Sequence, residues 1–87
     1  MGLIDSKRSR RLYDVVLATR TNCRFEALRG LLLALGFSER QPSRGGSHYT
    51  YRKRLADGRV VQLTVPRRRR LKQCYVDAVI ELMEEAS

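Results

Sequence analysis

Between Ser47 and Val65 the sequence alternates, and no other stretch limits the fold as tightly. Ser47 to Arg54 interleaves aromatic and polar residues, Val60 to Val65 interleaves aliphatic and polar ones, and Ala56-Asp57-Gly58 between them is turn chemistry. Side chains alternate across a strand, so this period of two predicts two half-buried strands joined as an antiparallel β-hairpin. Tyr49 and Tyr51 then share a face with Val61, Leu63 and Val65, while His48, Thr50 and Arg52 share the other with Gln62 and Thr64. His48 is the one histidine in the chain.

The apolar face needs a cover, and the sequence supplies helices for it. Phe25, Leu28, Leu31, Leu32 and Leu35 recur at three- and four-residue intervals, and Gly36 stands where a helix takes a left-handed cap. Leu33 faces partly away from that stripe, toward the first helix or a partner chain, with core packing favoured. Upstream, 1–11 is polar and basic and begins as a loose arm. Leu12, Val15, Val16 and Thr19 then mark a helix from about Ser6 to Ala18, broken at Thr21-Asn22. Phe37 to Gln41 suits a short strand, and Pro42-Ser43-Arg44-Gly45-Gly46 a loop. Pro66 ends the hairpin ladder. Arg67 to Arg70 lead directly into a last helix, whose buried stripe is Tyr75, Val76, Val79, Ile80 and Met83.

The expected fold is α+β, with a three-stranded antiparallel sheet covered by helices on one face in the order α-α-β-β-β-α. With 87 residues the chain has room for a single domain. Residues 1–23 form an N-terminal arm and extra helix, and 24–85 form the core. Without the first helix this is the layout of double-stranded-RNA-binding domains. The face bearing His48 is left open to solvent or ligand.

Charge says what such a face would meet. Lys and Arg outnumber Asp and Glu by 18 to 9, and fifteen of the eighteen are Arg, whose planar fork suits phosphate and stacks on bases. From Arg40 to Lys72 eleven basic residues stand against one acid, Asp57, a net of +10, and the rest of the chain sums to about −1. A polyanion is the expected partner. Four arginines at a helix N-terminus oppose its dipole, and a bound anion would relieve that conflict. Glu81, Glu84 and Glu85 oppose the dipole at the other end, with no functional account.

Cys23 and Cys74 lie far apart and outside any paired motif, which predicts reduced, packed thiols in a cytoplasm. With one histidine a zinc site would need carboxylates to complete it, so no structural metal and no cofactor are expected. Neither a signal peptide nor a membrane span is legible, and no membrane partner is expected.

Several residues together resemble a known family, the HicA toxins of bacterial toxin–antitoxin pairs. They are Phe25 and Leu28 followed by Leu35-Gly36-Phe37, Gly46-Ser47-His48 opening the second strand, then Val65-Pro66 and a basic loop into the final helix. The likeness spans roughly Phe25 to Met83, and the helix ahead of it looks like the extension found in a subset of the family. Gly-Ser-His in that setting is its specific part. Many members carry a second histidine where this chain has Tyr49. The resemblance implies that His48 is the histidine on which toxicity depends and that the substrate is messenger RNA. It further implies that the protein is an endoribonuclease needing neither ribosome nor metal, and that a HicB-type antitoxin docks over His48.

RNA carries its own nucleophile in the 2′-hydroxyl, so cleavage asks for a base, a cation for the phosphorane charge and an acid for the leaving 5′-oxygen. Imidazole exchanges protons near neutrality, which makes His48 a base or an acid but not both at once. Arg52 and the run Arg67, Arg68, Arg69 and Arg70, with Lys72 beyond it, suit phosphate binding, and Gly46 suits close approach of the RNA backbone. The second proton carrier stays open among water, an unassisted leaving group, and a Tyr or Lys from elsewhere. Ser47 is no partner for His48, because neighbouring strand residues point to opposite faces. On the residues alone, one exposed histidine is more often an incidental or phosphate-contacting residue than a catalyst. The competing reading is therefore a non-catalytic RNA-binding module that grips RNA by shape. A DNA-binding role fits poorly, since no helix is both basic and free of core duties.

Overall fold

A computed structural model describes residues 7–42 and 45–86. The expected arm over 1–6 and loop residues 43–44 lie outside the described residues. The elements run α1 (Lys7–Ala18), α2 (Phe25–Ala34), β1 (Ser38–Arg40), β2 (His48–Arg54), β3 (Val60–Pro66) and α3 (Gln73–Ala86). This is the expected α-α-β-β-β-α order, with the strands in one antiparallel sheet, β2 central.

The α1 stripe is rotated from the expected one. Ser9 and Val16 are buried, Leu12 and Tyr13 are half-buried, and Val15 is 47% exposed with Thr19 also outside. Ser9 is small enough to sit where α1 meets α2, and its Oγ donates to the Ala34 carbonyl at 3.5 Å. Thr19 instead turns back on its own helix, donating to the Val15 carbonyl at 2.8 Å. Leu33 is 39% exposed, so the core packing expected for it is partial.

Helix α2 ends as its sequence requires. Gly36 takes φ 92°, its amide donates to Leu33 and the Phe37 amide to Leu32, each at 3.1 Å. Those two bonds satisfy carbonyls that a helix terminus leaves unpaired. They also explain why β1 is shorter than expected: Phe37 is held by the cap, and Pro42 beyond the strand has no amide to donate.

The hairpin has a three-residue loop. Gly58 N–H donates to Leu55 O at 3.0 Å, Leu55 N–H to Arg59 O at 2.7 Å, and Gly58 sits at φ 91°, a position that favours glycine. Asp57 fastens the loop further by accepting from the Arg59 amide at 2.9 Å and its Nε at 2.7 Å. The ladder runs one residue past the expected end, to His48 opposite Pro66. A proline is tolerated there because the last rung needs no further donor.

One hydrophobic cluster joins the inner face of the sheet to α2, α3 and Val16 of α1. Tyr51 is fully buried at its centre with Leu28, Leu31, Leu32, Val76 and Val79, and the Tyr49 ring meets Phe25 edge-to-face at 5.3 Å. Cys23 belongs to this core, and burial pushes its thiol pKa up. Cys74 does not: it is exposed, because it stands on the opposite side of α3 from Val76 and Val79. Among the described residues no helix is long and apolar enough to cross a membrane.

Candidate nucleic-acid interface

The outer row of β2 supplies the centre of the candidate site. His48 and Arg52 are exposed and Thr50 is partly so, as the alternation requires once Tyr49 and Tyr51 turn inward. Sheet register adds neighbours on both sides: Arg40 of β1 stands opposite Thr50, and Ser38 of β1 and Gln62 of β3 stand opposite Arg52. These residues line a groove of about 750 Å³ together with Gln41, Pro42, Gly46 and His48. Two guanidinium groups therefore flank a trough that ends at the imidazole.

Gly46 lines the groove beside Pro42. A Cβ at this position would come within 3.3 Å of the Pro42 Cβ, a tight contact to which Pro42 would have to yield by a few tenths of an ångström.

A second, smaller cavity of about 50 Å³ lies on the far side of the histidine, lined by His48, Pro66, Arg68, Lys72 and Tyr75. It forms where the end of the hairpin meets the start of α3. Backbone bonds set it: the Arg67 amide donates to the Ser47 carbonyl, the Leu71 amide to the Cys23 carbonyl at 2.8 Å, and Arg70 bridges Arg24. The arginine run is thus held at both ends. It does not lead directly into the helix as expected, because buried Leu71 and then Lys72 intervene before Gln73.

The expected site residues accordingly divide. Gly46, Arg52 and His48 meet in the groove, while His48, Arg68 and Lys72 meet in the small cavity. Arg67, Arg69 and Arg70 are exposed but line neither. Sequence reasoning put Gln62 on this face and Arg40 in the basic segment but named neither as a site residue, and strand register brings both into the groove. It also placed Tyr75 in the buried stripe, whereas Tyr75 is half-buried at the edge of α3 with one side in the small cavity. The signal was there in a tyrosine flanking an otherwise aliphatic stripe, since its hydroxyl seeks a wet or polar end.

Not every basic residue of the sheet is available to a ligand. Lys53 Nζ donates to the Leu35 carbonyl and so completes the α2 terminus, and Arg59 pairs with Asp57 at 2.7 Å. On β1, Glu39 accepts from Arg29 Nε at 2.6 Å, from Arg29 Nη2 at 3.1 Å and from Tyr51 Oη at 2.7 Å. The Arg29 bonds, with those from Tyr51 and Gln41, hold the Glu39 pKa down at about 2 against the opposing effect of burial. Burial and the Glu39 carboxylate together raise the Tyr51 phenol well above its usual range. No such partner engages the other face: the side chains of His48, Thr50, Arg52, Arg68 and Lys72 make no hydrogen bond or ion pair with another described residue.

Chemically the arrangement offers one imidazole between two cation-lined hollows, which suits an extended phosphodiester chain better than a small molecule. Among the described residues no three His, Cys, Asp or Glu side chains gather as a metal site. No protein-family model, curated protein or solved structure matches this chain, and its site is therefore read from its own residues.

Proposed function

We propose that this chain is a toxin of the HicA kind, an endoribonuclease that cleaves messenger RNA through its own 2′-hydroxyl and needs neither metal nor ribosome. The observation that carries the reading is the position of His48. It is the one residue common to both hollows, its ring is exposed, and cationic side chains stand on each side of it. A phosphodiester lying along the groove past Arg52 and Arg40 would bring its 2′-hydroxyl to the imidazole and its charge to the guanidinium groups. The core from α2 onward has the element order of a double-stranded-RNA-binding domain, which also supports an RNA partner. A HicB-type antitoxin would inhibit by covering the same face, where it finds exposed arginines.

A second reading has one observation in its favour. Apart from His48, the groove is lined by Arg, Gln, Ser, Thr, Pro and Gly, none of which exchanges protons near neutrality, and this composition also suits an RNA-binding module without catalysis. Purified wild-type and His48→Ala proteins incubated with RNA and EDTA separate the two. Wild type is expected to yield 2′,3′-cyclic phosphate and 5′-hydroxyl ends, and the variant to lose about 10³-fold in rate with little change in RNA affinity. Equal cleavage by both proteins removes His48 from the mechanism, and RNA binding without cleavage by wild type establishes the binding module instead.

A further inference from the structure

The small cavity beside His48 contains the proton donor that the groove lacks. We infer that Tyr75 is the general acid of the reaction, giving its phenolic proton to the leaving 5′-oxygen, an inference that rests on the RNA-cleaving reading of this site. Tyr75 and His48 line the same enclosed space, with Arg68 and Lys72 on its walls and Pro66 beside them. At about 50 Å³ the cavity is small, on the scale of roughly one or two water molecules at about 30 Å³ each. It has room for the leaving oxygen of a phosphodiester that lies in the groove on the other side of His48, and its two cationic residues, Arg68 and Lys72, suit the charge that develops there.

The other candidates for the role are weaker. Arg68 stays protonated and is a poor acid. Lys72 is an exposed ammonium that serves as a point charge for phosphate. A phenol holds its proton at neutral pH, yet releases it far more readily than a guanidinium or an aliphatic hydroxyl. Tyr75 is also positioned by the chain around it: it lies in the first turn of α3, its amide donates to the Lys72 carbonyl at 3.1 Å, and the next residue, Val76, is fully buried. The ring is half-buried, so it is held in place without being closed off from the cavity.

With His48 as base the step balances. The 2′-hydroxyl gives its proton to the free ring nitrogen of His48 as the 2′-oxygen bonds to phosphorus. The bond from phosphorus to the 5′-oxygen breaks with its electron pair on that oxygen, which takes the proton of Tyr75 Oη. The imidazolium then returns its proton to the phenolate, directly or through water. Both side chains recover their starting states, and the products are a 2′,3′-cyclic phosphate and a 5′-hydroxyl.

A substrate that needs no acid tests the assignment. Oligoribonucleotides with an ordinary 5′-oxygen, or with sulfur in its place at one cleavable linkage, are offered to wild-type, Tyr75→Phe, Lys72→Met and His48→Ala proteins. Because a thiolate leaves without protonation, Tyr75→Phe is expected to be slowed about 10²-fold on the oxygen substrate and to match wild type on the sulfur one. RNA affinity should be unchanged, since Phe keeps the ring. Tyr75→Phe equal to wild type on oxygen overturns the inference, and so does an equal loss on both substrates, which would make Tyr75 a positioning residue. Sulfur rescue of Lys72→Met in place of Tyr75→Phe transfers the role to the lysine and likewise overturns it. If wild type cleaves neither substrate, the ribonuclease reading itself fails. Cleavage by wild type with unimpaired Tyr75→Phe defeats only the acid.

Discussion

The two sides of β2 differ in a way that composition alone would hide. On the inner side the Tyr49 ring meets Phe25, the Tyr51 hydroxyl donates to Glu39 and the Lys53 ammonium to the Leu35 carbonyl. On the outer side His48, Thr50 and Arg52 have no side-chain partner among the described residues. Both rows are polar or aromatic, yet one is satisfied within the fold and the other leaves its side-chain bonding capacity unused among the described residues. Polar character therefore does not mark the site. The lack of an internal partner sets the outer row apart from the inner one.

Breaking the inner row should damage stability and leave the outer row's chemistry to follow the fold. Tyr51→Ala removes a fully buried aromatic ring and strips Glu39 of a donor, for an expected loss of about 4 kcal/mol in denaturant unfolding. A loss below about 1 kcal/mol would mean that Tyr51 is not the centre of this core. Glu39→Gln tests the polar half of the same support. The folded carboxyl titrates near 2, below its ordinary 4.5, so its contribution is complete above the ordinary value and is lost as pH falls from about 4.5 towards 2. Thermal melts of wild type should thus fall steeply across that window and those of Glu39→Gln less so, with a cost at neutral pH of about 1–2 kcal/mol, limited by the exposure of Arg29. Parallel acid profiles for the two proteins would rule out the network as the source.

Changing the outer row should do the reverse. Arg52→Ala is expected to leave stability within about 0.5 kcal/mol of wild type. It should weaken RNA binding several-fold and lower the slope of affinity against salt by about 1. Unchanged salt dependence would show that Arg52 meets no phosphate, and that the contrast between the two faces is structural only.

The hairpin and its two faces were legible in the sequence because a period of two leaves a single assignment once one row is apolar. The order of elements followed from the same reasoning applied to Phe25–Leu35 and Val76–Met83. What was not legible depends on pairs distant in sequence. That Arg29 belongs to Glu39, or that Lys53 reaches a helix end, is decided by packing between elements and leaves no local pattern. The stripe of α1 was read one step off because its contact is made through Ser9, a residue with no apolar signal. Gly46 was read for its approach to a ligand, and its closeness to Pro42 left no local pattern. Tyr75 was read as core because it flanks apolar residues, and only the place where α3 docks against Pro66 turns it toward His48.

The run Arg67 to Arg70, fastened by bonds from its flanking amides to Ser47 and Cys23, carries one more consequence. In an unfolded chain four adjacent guanidinium groups can spread apart, whereas here the backbone at each end of the run is tied and their separation is restricted. Folding therefore concentrates self-repulsion in this segment, and the core must offset it. Whatever anionic surface settles on the segment, nucleic acid or protein, gains by discharging that repulsion as well as by its own contacts. An anion bound on this segment would therefore stabilise the folded chain as well as contribute its own contacts.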